Sequence, residues 1–416
     1  MRATNEDGTL LTLPGPRKYI MTASTRPAHP TAKPSPPADA VEAIDGSLGG
    51  GAPAPGAAPP LRSVHTDNLA PMLEQLGISL LVTTYQAGKL VMLRPDGDRL
   101  NTHFRGFGKP MGLAVAGNRL AIGTALEIWE YHNAPAVARR LEPAGRHDAC
   151  FLPRSSVCTG DVQVHEMAWA NAPGREPELW FVNTRFSCLC TRSTTHSFVP
   201  RWAPPFITAL APEDRCHLNG LGMVDGRPAF VTALGTTDTP GGWRADKTGG
   251  GVVMEVATGE IIARGLSMPH SPRWYAGRLW VLESGGGGFG YVDPATGKYE
   301  PVAVLPGFTR GLDFCGSLAF IGLSQVRETA VFSGIAVADR PLDERRCGVW
   351  VVDIHTGQSV AFVRFEDAVQ EIFAVQVLPG VRHPDVINDE PTVLADSFIL
   401  PDGAMSLVPT PLRHPA

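Results

Sequence analysis

The sequence predicts an all-β chain folded as a six-bladed β-propeller, with N-terminal strands closing the last blade. Three observations carry that expectation. The first is a repeated unit of an apolar strand, a Gly or Asn turn and a second apolar strand. It runs from Met111-Gly112-Leu113-Ala114-Val115 into Leu120-Ala121-Ile122, and it returns from His165, Asn219, His270 and Arg310, with a weaker sixth copy from Gln370. The copies recur at roughly the 40–60-residue steps of propeller blades. The second is an alternating signature that ends in Thr258-Gly259, Thr296-Gly297 and Thr356-Gly357. It reads as the tight turn of a blade's outer hairpin, where glycine reaches positive φ without a Cβ clash. The third is composition. The chain has 45 glycines and 38 prolines in 416 residues, about a fifth of the total against roughly 12% in ordinary chains. That surplus fits many short strands with turns and argues against a helical bundle or coiled coil.

Taken in order, residues 1–64 read as a disordered lead rich in Pro, Ala and Gly. Between Ala23 and Pro60 there is almost no aromatic side chain, so the segment buries too little apolar surface to offset its ordering entropy. A Pro-rich docking role is disfavoured because no clean PxxP pair lies beside basic residues. Residues 65–405 read as a single propeller domain and 406–416 as a flexible tail. Within the domain, residues 65–77 predict a short helix with Asp67 or Asn68 near its cap. Ile78–Tyr85, Lys89–Leu93 and Arg99–Phe104 then predict three strands, turned at Gln86-Ala87-Gly88 and Pro95-Asp96-Gly97. These three precede any inner strand, while the copy at Gln370 lacks three partners of its own. Joining them removes two exposed sheet edges.

Charge and cysteine content exclude several classes of partner. A formal net charge of -5 gives no electrostatic case for nucleic acid or anionic membranes. No apolar run approaches the roughly 18 residues of a membrane span. Met1 to Pro30 lacks the basic-apolar-small order of a signal peptide. Seven cysteines are an odd number in no dense framework, so a reducing cytoplasm is expected.

Several short phrases are distinctive as a set: Thr84-Tyr85-Gln86-Ala87-Gly88, Phe107-Gly108-Lys109-Pro110-Met111, Asn183-Thr184-Arg185-Phe186-Ser187-Cys188-Leu189, the run from Phe198 to Phe206, and Pro269-His270-Ser271-Pro272-Arg273. Together they resemble an uncharacterised bacterial family of conserved hypothetical proteins of unknown function, over about residues 78–405. The resemblance implies a propeller-like domain and brings no catalytic residues with it. The wider architecture is similar to lactonase and strictosidine-synthase-like six-bladed propellers, a likeness of fold that assigns no function.

In a propeller the first strand of each blade lines the central channel and begins at its mouth. The mouth positions are therefore Met111, His165, Asn219, His270, Arg310 and Glu371, or Gln370 one residue away. Alternate blades place His165, His270 and Glu371 in a triangle. Two imidazoles and a carboxylate are the ligand types of a non-haem iron or zinc site with open positions. A transition metal is thus one open reading, acid–base use of a histidine a second, and a water-filled polar rim the plainest. Calcium is disfavoured for want of hard oxygen ligands. His217, two residues before Asn219, reads as a loop residue ahead of a third site histidine. Trp243 and Arg244, in the long loop 235–251, and Arg273, with Arg185 and Arg201, add an aromatic ring and positive charge to the same face. Surface salt bridges are the competing reading for these arginines. The candidate ligand set is therefore His165, Asn219, His270, Arg310, Glu371, Trp243, Arg244 and Arg273. Two functions remain: binding of a small anionic molecule or peptide segment, or an enzyme (hydrolase, lyase or metal-dependent oxygenase) acting with His165, His270 and Glu371. The glycine-rich run Glu283–Gly290 lacks the ending of a phosphate loop, and Cys188 with Cys190 lacks zinc spacing.

Overall fold

The computed structural model describes residues 61–171, 174, 176–326 and 333–410. Residues 1–60 of the lead, Arg327 and Glu328 of a long loop, and 411–416 of the tail lie outside the described residues. The first strand, β1, is Ser63–His65. It is followed by a helix, α1 (Leu69–Leu76), and by β2 (Ile78–Thr84), β3 (Lys89–Asp96) and β4 (Arg99–Gly106). Blade one holds β5–β8 (Leu113–Ala116, Arg119–Gly123, Glu127–Asn133, Ala149–Cys158), and blade two holds β9–β12 (Val164–Ala170, Glu178–Asn183, Cys188–Thr191, Val199–Trp202). Blade three holds β13–β16 (Leu218–Val224, Arg227–Ala233, Gly251–Glu255, Ile261–Leu266). Blade four holds β17–β20 (Pro269–Tyr275, Arg278–Glu283, Gly288–Val292, Tyr299–Val304), and blade five holds β21–β24 (Phe308–Cys315, Leu318–Ser324, Gly348–Asp353, Ser359–Phe365). The chain then forms β25 (Ala374–Pro379) and β26 (Pro384–Val386).

Blade six is composite, in the order β25-β2-β3-β4. Strand β25 pairs antiparallel with β2 from Ile78↔Pro379 to Thr83↔Ala374, so the N-terminal strands close the ring as expected. Each neighbour of this blade gains a fifth strand. β1 adds to β24 at the outer edge of blade five, and β26 runs parallel to β8 at the outer edge of blade one. Ser63 and Val64, placed in the disordered lead by sequence, are therefore part of a sheet. The correction has a simple cause: three residues are too few to carry a strand signal, yet the open edge of β24 offers them backbone partners.

The core is divided among the blades. Six apolar clusters each lie between adjacent sheets, because both faces of every sheet meet a neighbour. Between blades four and five, Trp280 stacks on Phe289 with ring centroids 4.9 Å apart and is joined by Phe314. Helix α1 buries Leu69 and Leu73 in the cluster between blades five and six. It ends at Gly77 in the left-handed conformation. At the channel the inner strands approach so closely that a Cβ on Gly112 of blade one would lie 2.0 Å from the His165 carbonyl of blade two.

The Thr-Gly signature is the turn between third and fourth strands. Asp293 holds one copy by accepting from the Ala295 amide and the Thr296 hydroxyl, both at 2.9 Å. Gly297 has φ +71°, and a Cβ there would meet the Ile262 carbonyl of the preceding blade at 2.3 Å. The glycine thus serves both the turn and the seam between blades. Gly297→Ala is expected to lower unfolding free energy by about 1–3 kcal/mol, read by urea denaturation. An unchanged midpoint would show that the seam relaxes freely. Deleting residues 78–106 removes three strands of blade six and should abolish the cooperative thermal transition.

Candidate functional site

At the mouth end of the channel a cavity of about 350 Å³ is lined by His165, His217, His270, Arg310, Glu371 and Phe373, with Tyr85, Lys109, Trp243 and Arg244 among its other walls. Two local devices aim these side chains. Gln163, His217 and Met268 adopt left-handed backbone, with φ of 53°, 51° and 49°. Glycine is the usual occupant of such positions, so side chains held there mark a constraint from the surrounding structure. The inner strands also slip register near the mouth, between His270 and Arg273 in β17 and between Thr309 and Leu312 in β21. Bulges of this kind re-aim side chains beside functional sites.

Gln163 and Met268 turn their carbonyls back onto the histidines. His165 Nδ1 lies 2.9 Å from the Gln163 carbonyl, and His270 Nδ1 lies 2.8 Å from the Met268 carbonyl. Both rings are only 4% exposed. Burial, reinforced by the Arg310 charge, holds both imidazoles well below the usual histidine pKa. His217 Nδ1 lies 2.9 Å from Asp214 Oδ1, and the Trp243 indole donates to Asp214 Oδ2 at 3.0 Å. The His217 ring sits 5.0 Å from that of His165 and 4.6 Å from Trp243.

Two of the charged groups facing the cavity, Arg310 and Glu371, are unpaired among the described residues. The Arg310 guanidinium rests over the Phe373 ring at 3.7 Å, and among the described residues no carboxylate or carbonyl accepts from its side chain. Burial lowers its pKa to about 9, against the opposing pull of Glu166, so it stays cationic at neutral pH. The Glu371 carboxyl is pushed above its usual range by burial, also without a hydrogen-bonding partner among the described residues.

The cavity gathers His165, His270, Arg310, Glu371, Trp243 and Arg244 from the sequence-derived set and omits Asn219 and Arg273. Asn219 is 1% exposed. It accepts from the Thr232 hydroxyl at 2.6 Å and donates to the Pro269 carbonyl at 3.1 Å, tying blade three to blade four. His217 takes the place on the wall instead, although it lies in the loop before β13. Arg273 sits deeper, paired with Glu166 at 2.9 and 3.2 Å and donating to the Leu312 carbonyl at 3.0 Å. The bulge in β17 separates it from His270. Trp243 is packed rather than open to a ligand: Arg244 covers its ring at 4.4 Å and its indole nitrogen is committed to Asp214. Arg185 and Arg201 pair with Asp161 and Glu178. Gln370 is held by its backbone, donating to the Gln86 side chain and accepting from the Gln325 amide.

Among the described residues, no group of three or more His, Cys, Asp or Glu side chains is placed to hold a metal ion. His165, His270 and Glu371 share the cavity without forming such a ligand set. Glu371 lies in the segment before β25 rather than on an inner strand. Asp214 and Phe373 escaped the sequence reading. The only trace of Asp214 is its place three residues before His217, and Phe373 reads as an ordinary strand residue.

Six blades, four of four strands and two widened to five, around a channel with a polar mouth define a β-propeller. The chain belongs to the family described as a domain of unknown function (DUF4915), whose model matches residues 67–387. Comparison with curated proteins finds no match. Among solved structures the chain is similar to one in the crystal structure of a nidogen/laminin complex, at 10% identity and TM-score 0.46, covering 73% of this chain and 99% of that one. It is also similar to a protein of unknown function from Bacteroides caccae, at 9% identity and TM-score 0.46, covering 72% and 98%.

Two predictions follow from this geometry. Glu166→Gln strands the Arg273 charge. It should cost about 2–3 kcal/mol of stability, below the ~3–5 kcal/mol of a fully buried pair because both partners retain some exposure; a matched Glu166→Gln/Arg273→Met pair should recover part of it. The histidines set a pH dependence. His165 and His270 stay neutral in the fold, while the unfolded chain takes up protons near pH 6.5. Their contribution to stability is full above pH 6.5 and falls below it, by up to ~1.4 kcal/mol per pH unit for each ring. NMR should find both imidazoles neutral at pH 6, and half-protonation of His270 near pH 6.5 would contradict the assignment.

Proposed function

We propose that the channel mouth binds a small anionic molecule. The observation that carries this reading is Arg310, a cationic guanidinium set in a cavity and stacked on Phe373, with no acceptor for its side-chain donors among the described residues. A guanidinium withdrawn from water without a partner is costly, and a carboxylate or phosphate meets its planar donors. A cavity near 350 Å³ lies at the lower end of the ~300–1,000 Å³ range of small-molecule sites, which favours a small molecule over a peptide segment. Nucleic acid and membranes are not proposed as partners, given the net charge of -5 and, among the described residues, no helix long and apolar enough to cross a membrane. All seven cysteines are free thiols, which supports a reducing, cytoplasmic setting.

NMR titration of the chain with small organic acids tests the reading. Binding should weaken at least tenfold in Arg310→Met, the ~1.5–3 kcal/mol of a charge-assisted hydrogen bond. Binding of these acids indifferent to Arg310→Met would overturn it.

A second reading, an enzyme of the hydrolase or lyase kind at the same mouth, is favoured by the Asp214–His217 pair. A carboxylate that orients Nδ1–H leaves Nε2 as the basic atom of a ring facing the cavity, and Glu371 with its raised pKa would serve as the acid. Under this reading any turnover found in a substrate screen falls by ~10²-fold or more in His217→Asn. Turnover unchanged by that substitution would remove the pair from the chemistry.

A further inference from the structure

An anion alone leaves part of this cavity unused. The His165 Nδ1 faces two acceptors, the Gln163 carbonyl at 2.9 Å and the Thr184 hydroxyl oxygen at 2.7 Å. The Thr184 hydroxyl has spent its own proton on the Leu218 carbonyl at 2.6 Å, so it accepts from the ring. His270 repeats the arrangement from blade four, with the Met268 carbonyl at 2.8 Å and the Ser284 hydroxyl at 3.0 Å. A carbonyl oxygen only accepts, so in both rings Nδ1 carries the hydrogen. A neutral imidazole protonated at Nδ1 presents a lone pair at Nε2. Neither Nε2 has a partner among the described residues, but that of His165 is fully buried under His217 and Phe373, which leaves His270 as the acceptor a ligand can reach.

A locked acceptor beside a free guanidinium specifies a ligand with both kinds of group. A plain carboxylate supplies oxygens to Arg310 and nothing to the imidazoles. An ammonium group supplies hydrogens but adds positive charge to a wall where three cations, Arg310, Arg244 and Lys109, already face two carboxyls, Asp214 and Glu371, and burial raises the pKa of Glu371. A hydroxyl supplies a hydrogen without charge. Resting on the anion reading above, we propose that the ligand is a small hydroxylated carboxylate, with its carboxylate on Arg310 and a hydroxyl donating to Nε2 of His270.

Isothermal titration calorimetry of the full chain with L-tartrate, succinate and L-aspartate tests this. Tartrate is succinate with two added hydroxyls, and aspartate is succinate with an added ammonium. Tartrate should bind about tenfold or more tightly than succinate. His270→Asn keeps a donor for the Met268 carbonyl and removes the Nε2 acceptor. It should cost tartrate about tenfold and leave succinate unchanged. Equal affinity for tartrate and succinate would overturn the hydroxyl assignment while leaving the anion reading intact, as would tighter binding of aspartate than tartrate. Binding of all three indifferent to Arg310→Met would overturn the anion reading itself, and no binding of any probe would overturn both. The comparison on the unsubstituted chain decides the matter even where a substituted chain fails to fold.

Discussion

The pairing of β2 with β25 is the constraint on which the molecule depends. Six residue pairs from Ile78↔Pro379 to Thr83↔Ala374 join regions nearly three hundred positions apart and turn an open row of sheets into a ring. An open row leaves apolar sheet faces and unpaired edges at both ends. The added strands β1 and β26 lie on either side of this joint, so the two blades next to it are the ones that are widened. Asp385 of β26 is clasped by Arg105 of β4 at 2.7 and 3.0 Å, which ties the exit of the chain to the closing blade. The site depends on the same joint. Tyr85 follows β2, Glu371 and Phe373 precede β25, and these residues meet His165, His217 and His270 only across a closed ring.

The channel has two polar layers with opposite chemistry. In the deeper layer every charge is answered. Glu166 takes Arg273 and the Leu221 amide, and Asp313 takes the Gln376 side chain and the Val377 amide. These contacts link blades two, three, four, five and six across the centre. Burial is offset there by pairing, so the layer reads as a structural clamp. In the upper layer Arg310 and Glu371 lack such partners, while the tautomers of His165 and His270 are held by carbonyls and hydroxyls that do nothing to quench Nε2. A fold that satisfies one layer and leaves the next one open has room for a ligand in the second.

Most of the fold was legible because it repeats. Met111, His165, Asn219, His270 and Arg310 fall at corresponding points of successive units, and Gly259, Gly297 and Gly357 all adopt the positive φ that a tight turn demands. The site was legible only where side chains follow that repeat. Trp169 and Trp274, each four residues after a mouth histidine, imply a common face by strand parity. Yet Trp169 is 6% exposed and Trp274 is 40% exposed: β9 and β17 carry the same slip after the histidine, but Arg119 and Arg192 cover the Trp169 ring at 5.5 and 5.6 Å. Asn219 withdraws into the blade seam because the Thr232 hydroxyl and the Pro269 carbonyl partner it, while His217, in left-handed backbone ahead of β13, lines the cavity instead.

The sequence alone determined the number of blades, the closing strands and the residue types offered to the channel. Those follow from periodicity, turn glycines and strand composition, which are local. Tertiary structure decided which of the offered groups are partnered. Arg273 and Arg310 look alike in the chain, one on blade four and one on blade five, but only Arg273 finds Glu166 across the channel. Asp214 acts on the site because a loop folds Trp243 and His217 against it. Burial, pairing and tautomer are set by neighbours distant in sequence, and no local pattern encodes them.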